Sequence, residues 1–122
     1  MPVEKLLIAN RGEIAIRIAR AAGDLGISSV ATFSSDDYLS LHTQASDDSV
    51  GLDGSGAAAY LDIDQIVAAA VSNGCDAVHP GYGFLAENAD FARALENEGI
   101  TFVGPSSDQL ALFGDKVSAR NL

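Results

Sequence analysis

The sequence is short of cationic residues: it contains 7 Lys and Arg against 17 Asp and Glu, a formal net charge of −10 at pH 7. Nucleic acids and anionic membranes bind clustered Lys and Arg, so this balance argues against both as partners. No apolar run approaches the roughly 18 residues that span a bilayer, and the N-terminus lacks the apolar stretch of a signal peptide. Cys75 is the single cysteine and leaves no internal disulfide, which predicts a reducing, cytoplasmic compartment.

Several motifs of known chemistry are also absent. The chain has no G-x-G-x-x-G dinucleotide fingerprint, no G-x-x-x-x-G-K-[ST] phosphate loop and no G-x-S-x-G nucleophile elbow. His42 and His79 lie far apart, and no Cys-x-x-Cys or His-x-x-x-His spacing occurs, so no metal site is predicted in this chain. The acidic pairs at 36–37 and 47–48 are interpreted as solvated surface.

Short apolar runs alternate with segments of helical periodicity, and 48% of the residues are hydrophobic, which is enough for one globular core. The predicted strands are 5–9, 28–33, 49–52, 77–79 and 101–103. The predicted helices are 14–25, one between the caps Asp62 and Gly74, 87–98, and one opening at 106. Such alternation predicts an α/β fold, a Rossmann-like, mostly parallel sheet with helices on both faces.

Ligands of such sheets bind outside the carboxyl ends of the strands, which directs attention to the loops there. The segment 79–88 reads HPGYGFLAEN, and its two glycines flank Tyr82 and permit backbone conformations closed to other residues. One interpretation is a loop that presents Tyr82 in a fixed pose. The other is a structural turn whose Tyr82 and Phe84 pack into the core, and the residues alone favour neither.

Two further loops each allow two interpretations. The stretch 51–56 is glycine-rich and can cradle a phosphate with backbone N–H groups, although a flexible turn is favoured because no Lys follows. Lys116, in a Gly-Asp-Lys sequence, suits phosphate oxygens, whereas a surface ion pair is the commoner role of such a lysine.

In the first loop, at 10–13, Gly12 is predicted to make the turn and Glu13 to cap the helix.

Four segments together resemble the N-terminal domain of biotin carboxylase. They are IANRGEIA at 8–15, HPGYGFLAEN at 79–88, FVGP at 102–105 and GDKVSAR at 114–120. The resemblance runs from Lys5 to Arg120, with the motifs in the family's order and spacing. It implies the Rossmann-like domain that precedes an ATP-grasp core, in agreement with the alternation of strands and helices.

The resemblance implies a ligase reaction in the parent enzyme. Biotin carboxylases use ATP with Mg²⁺ (or Mn²⁺) and bicarbonate to carboxylate a ureido nitrogen of biotin on a carrier protein, through carboxyphosphate. The implied partners are therefore ATP, bicarbonate, a biotin carboxyl carrier domain and a carboxyltransferase component, and the parent is expected to be a homodimer. The family's metal ligands and catalytic residues lie outside this chain, so no catalytic residue is assigned here.

A few family site residues match positions of this chain. Lys116 matches the ATP-contacting lysine of the Gly-Asp-Lys motif. Tyr82 matches the tyrosine beside the biotin ureido ring, and Gly83 is its neighbour with a backbone donor. The helical residues at the family's subunit interface correspond to Arg17, Arg20 and Asp24, where Asp24 stands in place of the usual Glu. The stretches 39–48 and 51–56 depart from typical members and are predicted to be variable surface.

The resemblance also predicts the domain organisation. Residues 1–113 correspond to the pre-ATP-grasp domain and 114–122 to the start of the ATP-grasp region. The chain is therefore expected to be part of a longer polypeptide and to be inactive alone.

Two other functions remain open. One is another ATP-grasp ligase, of the carbamoyl-phosphate or purine-pathway type, although those enzymes usually carry more glycine in the first loop and lack a Gly-Tyr-Gly-Phe segment. The other is a non-enzymatic, Rossmann-like association module. A natural stop after Leu122 with a capped final helix would favour that module, and the sequence shows neither a cap nor a terminating glycine at that end.

Overall fold

A single parallel sheet organises the molecule, whose computed structural model describes residues 3–37, 41–104 and 110. The strands are β1 (Lys5–Ile8), β2 (Ser28–Phe33), β3 (Asp48–Gly51), β4 (Ala77–His79) and β5 (Thr101–Phe102). The helices are α1 (Gly12–Asp24), α2 (Leu41–Ala45), α3 (Gly56–Tyr60), α4 (Ile63–Ser72) and α5 (Ala89–Asn97). The strand order is β3-β2-β1-β4-β5, and every pairing is parallel, so the predicted α/β architecture is confirmed.

The central strand β1 sends alternate side chains to opposite faces of the sheet, as its pleat requires. Leu7 belongs to a larger core formed with α3, α4 and α5, in which Phe91 and Phe102 meet edge to face with centroids 5.9 Å apart. Leu6 and Ile8 belong to a smaller core beneath α1. That smaller core consists of Leu6, Ile8, Ala15, Ala19, Ala22 and Ala77. The predicted helices on both faces are therefore present.

Helix α1 contacts the sheet mainly through small side chains. The larger apolar residues are less deeply placed: Ile14 and Ile18 are half-buried, and Leu25 is 76% exposed. The fully buried positions are the alanines Ala15, Ala19 and Ala22. Small side chains let the helix axis approach the sheet, and the bulkier residues then lie along its flank.

The two longer helices on the other face begin at side-chain caps. The Asp62 carboxylate accepts the backbone N–H of Gln65 at 3.3 Å, which confirms Asp62 as the predicted cap. The Gln65 side chain bonds both to the Asp62 carboxylate and to the backbone of Asp53. Helix α5 begins at Ala89, two residues later than predicted, because the side-chain Oδ1 atom of Asn88 caps it by accepting the N–H of Phe91 at 2.9 Å.

Two short helices were not predicted. Helix α2 falls in the polar stretch before β3, and α3 begins at Gly56, the last residue of the glycine-rich segment. Each spans five residues, too few for a helical period to be visible in the sequence. Helix α3 nevertheless carries the fully buried Tyr60 into the larger core.

Candidate functional site

The candidate site lies where the strand order reverses, between the carboxyl ends of β1 and β4. The chain runs from β1 to β2 on one side and reaches β4 on the other, so the loops after β1 and β4 open a crevice between them. The two strand ends stay joined, since the Ala9 N–H donates to the His79 carbonyl at 3.0 Å. The topology thus brings together the first loop and the segment 79–88, which the sequence marked separately.

Asn10 connects the two loops and is 1% exposed. Its amide nitrogen donates to the Pro80 carbonyl at 2.7 Å and to the Tyr82 carbonyl at 2.8 Å. Its side-chain oxygen accepts the N–H of Arg11 at 2.8 Å. The sequence assigned no role to Asn10, and its acceptors lie 70 and 72 residues away, so no local pattern indicates this bridge.

The Tyr82 loop is shaped by backbone conformations that favour glycine. Gly81 and Gly83 both have φ of 67°, and Phe84 follows at 47°. The Tyr82 side chain is 79% exposed, so the alternative that it packs into the core is wrong. Phe84 does pack inward, with its ring centroid 5.2 Å from that of Tyr60. The loop therefore holds one aromatic ring inside and presents the other.

His79 stiffens the entry to this loop. Its Nδ1 atom accepts the backbone N–H of Gly81 at 3.1 Å, which requires an unprotonated Nδ1. Burial lowers the pKa of His79 below its usual value of 6.5. The imidazole is therefore neutral near pH 7, and the loop keeps this hydrogen bond.

A second polar cluster lies at the carboxyl end of β2, and it corrects one prediction. Asp37 was interpreted as solvated surface but is 7% exposed. Its carboxylate receives Arg11 Nε at 2.7 Å and Nη2 at 2.8 Å, and the Tyr60 hydroxyl at 2.6 Å. This paired carboxylate raises the pKa of Arg11, and burial together with the same carboxylate raises the pKa of Tyr60 to about 12.

The Arg11–Asp37–Tyr60 cluster is structural in character, since its charges are already matched within the chain. The neighbouring Asp36 is exposed, and hydrogen bonds from the Ser34 hydroxyl and the Gly56 N–H lower the pKa of its carboxylate. The cluster ties the first loop to β2 and α3. The cluster therefore stabilises the first loop on the β2 side of the crevice.

Two hollows meet at Tyr82. One is an apolar groove of about 540 Å³ along the flank of α1, formed by Ile14, Ile18 and Leu25 among others. The second, of about 270 Å³, is lined by Gly83 and Glu87 on the other side of the ring. An exposed ring between an apolar groove and a glycine-lined hollow is suited to packing against a flat, partly polar ligand.

The remaining predicted site residues lie apart from the crevice or outside the described residues. Arg17, Arg20 and Asp24 are exposed on α1, and Arg17 contacts Glu13 across one helical turn at 3.4 Å. Lys116 lies outside the described residues. In the part of the chain that is described, no three His, Cys, Asp or Glu side chains cluster as metal ligands, and His42 is buried with Nε2 2.9 Å from the Thr32 carbonyl.

Within residues 3–37, 41–104 and 110, no helix combines the length and the apolar character needed to cross a membrane.

Comparison with known proteins gives a consistent result. The family model described as biotin carboxylase, N-terminal domain, matches residues 2–110. A pyruvate carboxylase of Staphylococcus aureus is 54% identical over 120 residues, which cover 97% of this chain and 10% of that protein. A biotin carboxylase of Pseudomonas aeruginosa is 53% identical over 120 residues, 98% of this chain and 27% of that protein.

Solved structures agree with the sequence relatives. The pyruvate carboxylase of Rhizobium etli superposes with a TM-score of 0.92 at 43% identity, over 99% of this chain and 13% of that one. The biotin carboxylase domain of a single-chain bacterial carboxylase superposes with a TM-score of 0.91 at 54% identity, over 97% of this chain and 28% of that one. The chain thus spans about a tenth to a quarter of the curated relatives just described.

Proposed function

Because the chain belongs to the biotin carboxylase N-terminal domain family, we propose that it serves as this domain in a biotin-dependent carboxylase. The whole enzyme would carboxylate biotin with bicarbonate and MgATP. The observation that carries the proposal is the exposed Tyr82, held by the segment 79–88 at the crevice between β1 and β4.

Tyr82 and Gly83 are proposed to receive the biotin ring system. The ureido ring is flat and polar at its edge, so it can lie against the exposed phenol while a backbone N–H of Gly83 binds its carbonyl oxygen. The glycine conformations that flank Tyr82 support this role, since they hold the ring outward without a side chain beside it. The domain would thus orient the acceptor nitrogen.

The phosphate chemistry is proposed to depend on residues beyond the crevice. ATP activates bicarbonate by phosphorylation, and Lys116 is proposed to contact the nucleotide as a point charge. We propose that residues 1–113 form the pre-ATP-grasp domain and that 114–122 begin the ATP-grasp region. The domain alone is proposed to be inactive, because the family's metal ligands and catalytic residues belong to that later region.

The outer surface of α1 is proposed to contact a second subunit in a homodimer. Arg17, Arg20 and Asp24 are all exposed there, beside the apolar groove. A biotin carboxyl carrier domain and a carboxyltransferase component are the further partners proposed, in the cytoplasm. The absence of clustered cations on an acidic chain supports proteins and small molecules over nucleic acid as partners.

The decisive experiment measures ATP hydrolysis by the full-length protein with free biotin as acceptor. Turnover that needs both bicarbonate and biotin is expected. Tyr82→Ala should lower kcat/KM for biotin by about tenfold or more while the KM for ATP changes little, because only the acceptor loses its contact. Lys116→Ala should show the reverse pattern. Turnover that is indifferent to biotin would identify another ATP-grasp ligase and would remove the proposed role of Tyr82.

A further inference from the structure

Both polar atoms of the Asn10 side chain form hydrogen bonds at the crevice. It is buried, and its amide nitrogen and oxygen together bind three backbone groups on two loops. Two of those groups, the carbonyls of Pro80 and Tyr82, enclose Gly81 between them. A buried amide with its partners in place fixes the relative position of everything that it binds.

The contact between Asn10 and the Tyr82 loop is also close. A Cβ atom at Gly81 would lie 2.7 Å from the Asn10 amide nitrogen and 2.7 Å from the Ile14 Cγ2 atom, distances so short that one side of the contact would have to shift. Glycine at this position therefore lets the loop backbone press directly onto Asn10. The Asn10 amide on the first loop and the Gly81 backbone on the second are thus in direct contact.

The position of Tyr82 depends mainly on its backbone. Its side chain is 79% exposed, and its backbone carbonyl is bound by Asn10. The ring position therefore follows from the backbone at Gly81 and Tyr82, and that backbone is set by Asn10 from one side and by the His79 ring from the other.

From these contacts we infer that Asn10 is a positioning residue for the acceptor substrate: it holds the Tyr82 ring in place across the β1–β4 crevice. This inference rests on the proposed role of Tyr82 in binding biotin. Asn10 does not itself touch substrate. Its loss would displace the ring and weaken the productive placement of biotin, while the contacts made by ATP elsewhere would be retained.

Asn10→Asp in the full-length protein tests the inference with almost no change in shape. The variant keeps the oxygen that accepts from Arg11 and turns a second oxygen toward two carbonyl groups, which it cannot bind. We expect kcat/KM for free biotin to fall by about tenfold or more, with the KM for ATP within about twofold of wild type.

Asn73→Asp is the matched control. Asn73 also donates from its amide to a backbone carbonyl, that of Ala69 at 2.8 Å, but at the end of α4 and away from both loops. It should lose a hydrogen bond of the same kind without any preferential effect on biotin. Equal kcat/KM values for biotin in Asn10→Asp and wild type would overturn the inference, as would equal losses for biotin and ATP.

A second variant and a second readout keep the test independent of folding and of activity. Gly81→Ala disturbs the same contact from the other loop, so it should reproduce the selective loss if Asn10→Asp does not yield folded protein. Chymotrypsin should cleave after Tyr82 faster in either variant than in Asn73→Asp, and unchanged cleavage would overturn the inference. Wild-type protein without biotin-dependent turnover would instead remove the proposed function, while the cleavage rates still report on the anchoring.

Discussion

The two faces of the sheet are built differently. On one face, α3, α4 and α5 form the larger core around bulky side chains such as Tyr60, Phe91 and Leu95, all with no measurable exposure. On the other face, α1 contacts the sheet through Ala15, Ala19 and Ala22. The first face is closed by large residues, whereas the second is closed by small ones with apolar residues left along the flank.

We expect the two faces to have different roles, the first in the stability of the domain and the second in contacts with other molecules. Burial of large apolar side chains supplies most of the stabilising free energy, so the larger core is expected to dominate the stability of the domain. The α1 face places an apolar groove and an exposed tyrosine next to one another at the crevice. Apolar surface that stays exposed after folding is available for contacts with other molecules.

The largest expected effect comes from opening the larger core. Phe91→Ala removes a fully buried ring that packs edge to face on Phe102. We expect the free energy of unfolding to fall by about 3–5 kcal/mol, which urea denaturation of the purified chain would measure. A loss below about 1 kcal/mol would show that the larger core does not dominate stability.

A smaller loss of stability is expected when the pH is lowered, and it arises from His79, on the α1 side of the sheet. The folded state lowers the pKa of His79, so the unfolded chain binds more protons once the pH falls toward 6.5. Stability is therefore full above about pH 6.5 and is lost as the pH drops through the folded-state pKa.

The control for this pH effect is His79→Asn, whose side-chain oxygen can accept the Gly81 N–H without titrating near neutrality. Denaturation midpoints of this variant should lose the part of the pH dependence that lies just below 6.5. An unchanged slope would mean that other groups carry it.

The smallest effect is expected from Leu25→Ala, at the end of α1. This truncation resembles the one at Phe91 in kind, but the Leu25 side chain is 76% exposed and fills no cavity. The free energy of unfolding should change by less than about 0.5 kcal/mol in the same denaturation experiment. A loss comparable to that of Phe91→Ala would contradict the division between the two faces.

The sequence predicted those parts of the fold that depend on local patterns. Continuous apolar runs located β1 and β2, and the Asp62 cap located the start of α4. It did not reveal α2 or α3, because five residues show no period. It also did not show that the fully buried positions of α1 are the alanines Ala15, Ala19 and Ala22.

The candidate site was predicted only as separate pieces. Glycines around Tyr82 indicated an unusual loop, and the exposure of that ring needed the structure to decide it. Asn10 and Asp37 were missed because their partners come from distant parts of the chain, and residue types that are common in turns carry no sign of such partners. Long-range polar contacts were therefore the main gap.

The bridge from Asn10 to the Tyr82 loop has a consequence for the order of folding. It spans 70 residues to Pro80, so the chain between them must be collapsed before the two loops meet. The entropy of closing so long a segment is repaid only when β4 has docked beside β1. Contacts between residues so far apart in sequence are slow to form, so we expect the crevice to form late in folding. The pose of Tyr82 would consequently report whether β4 has docked beside β1.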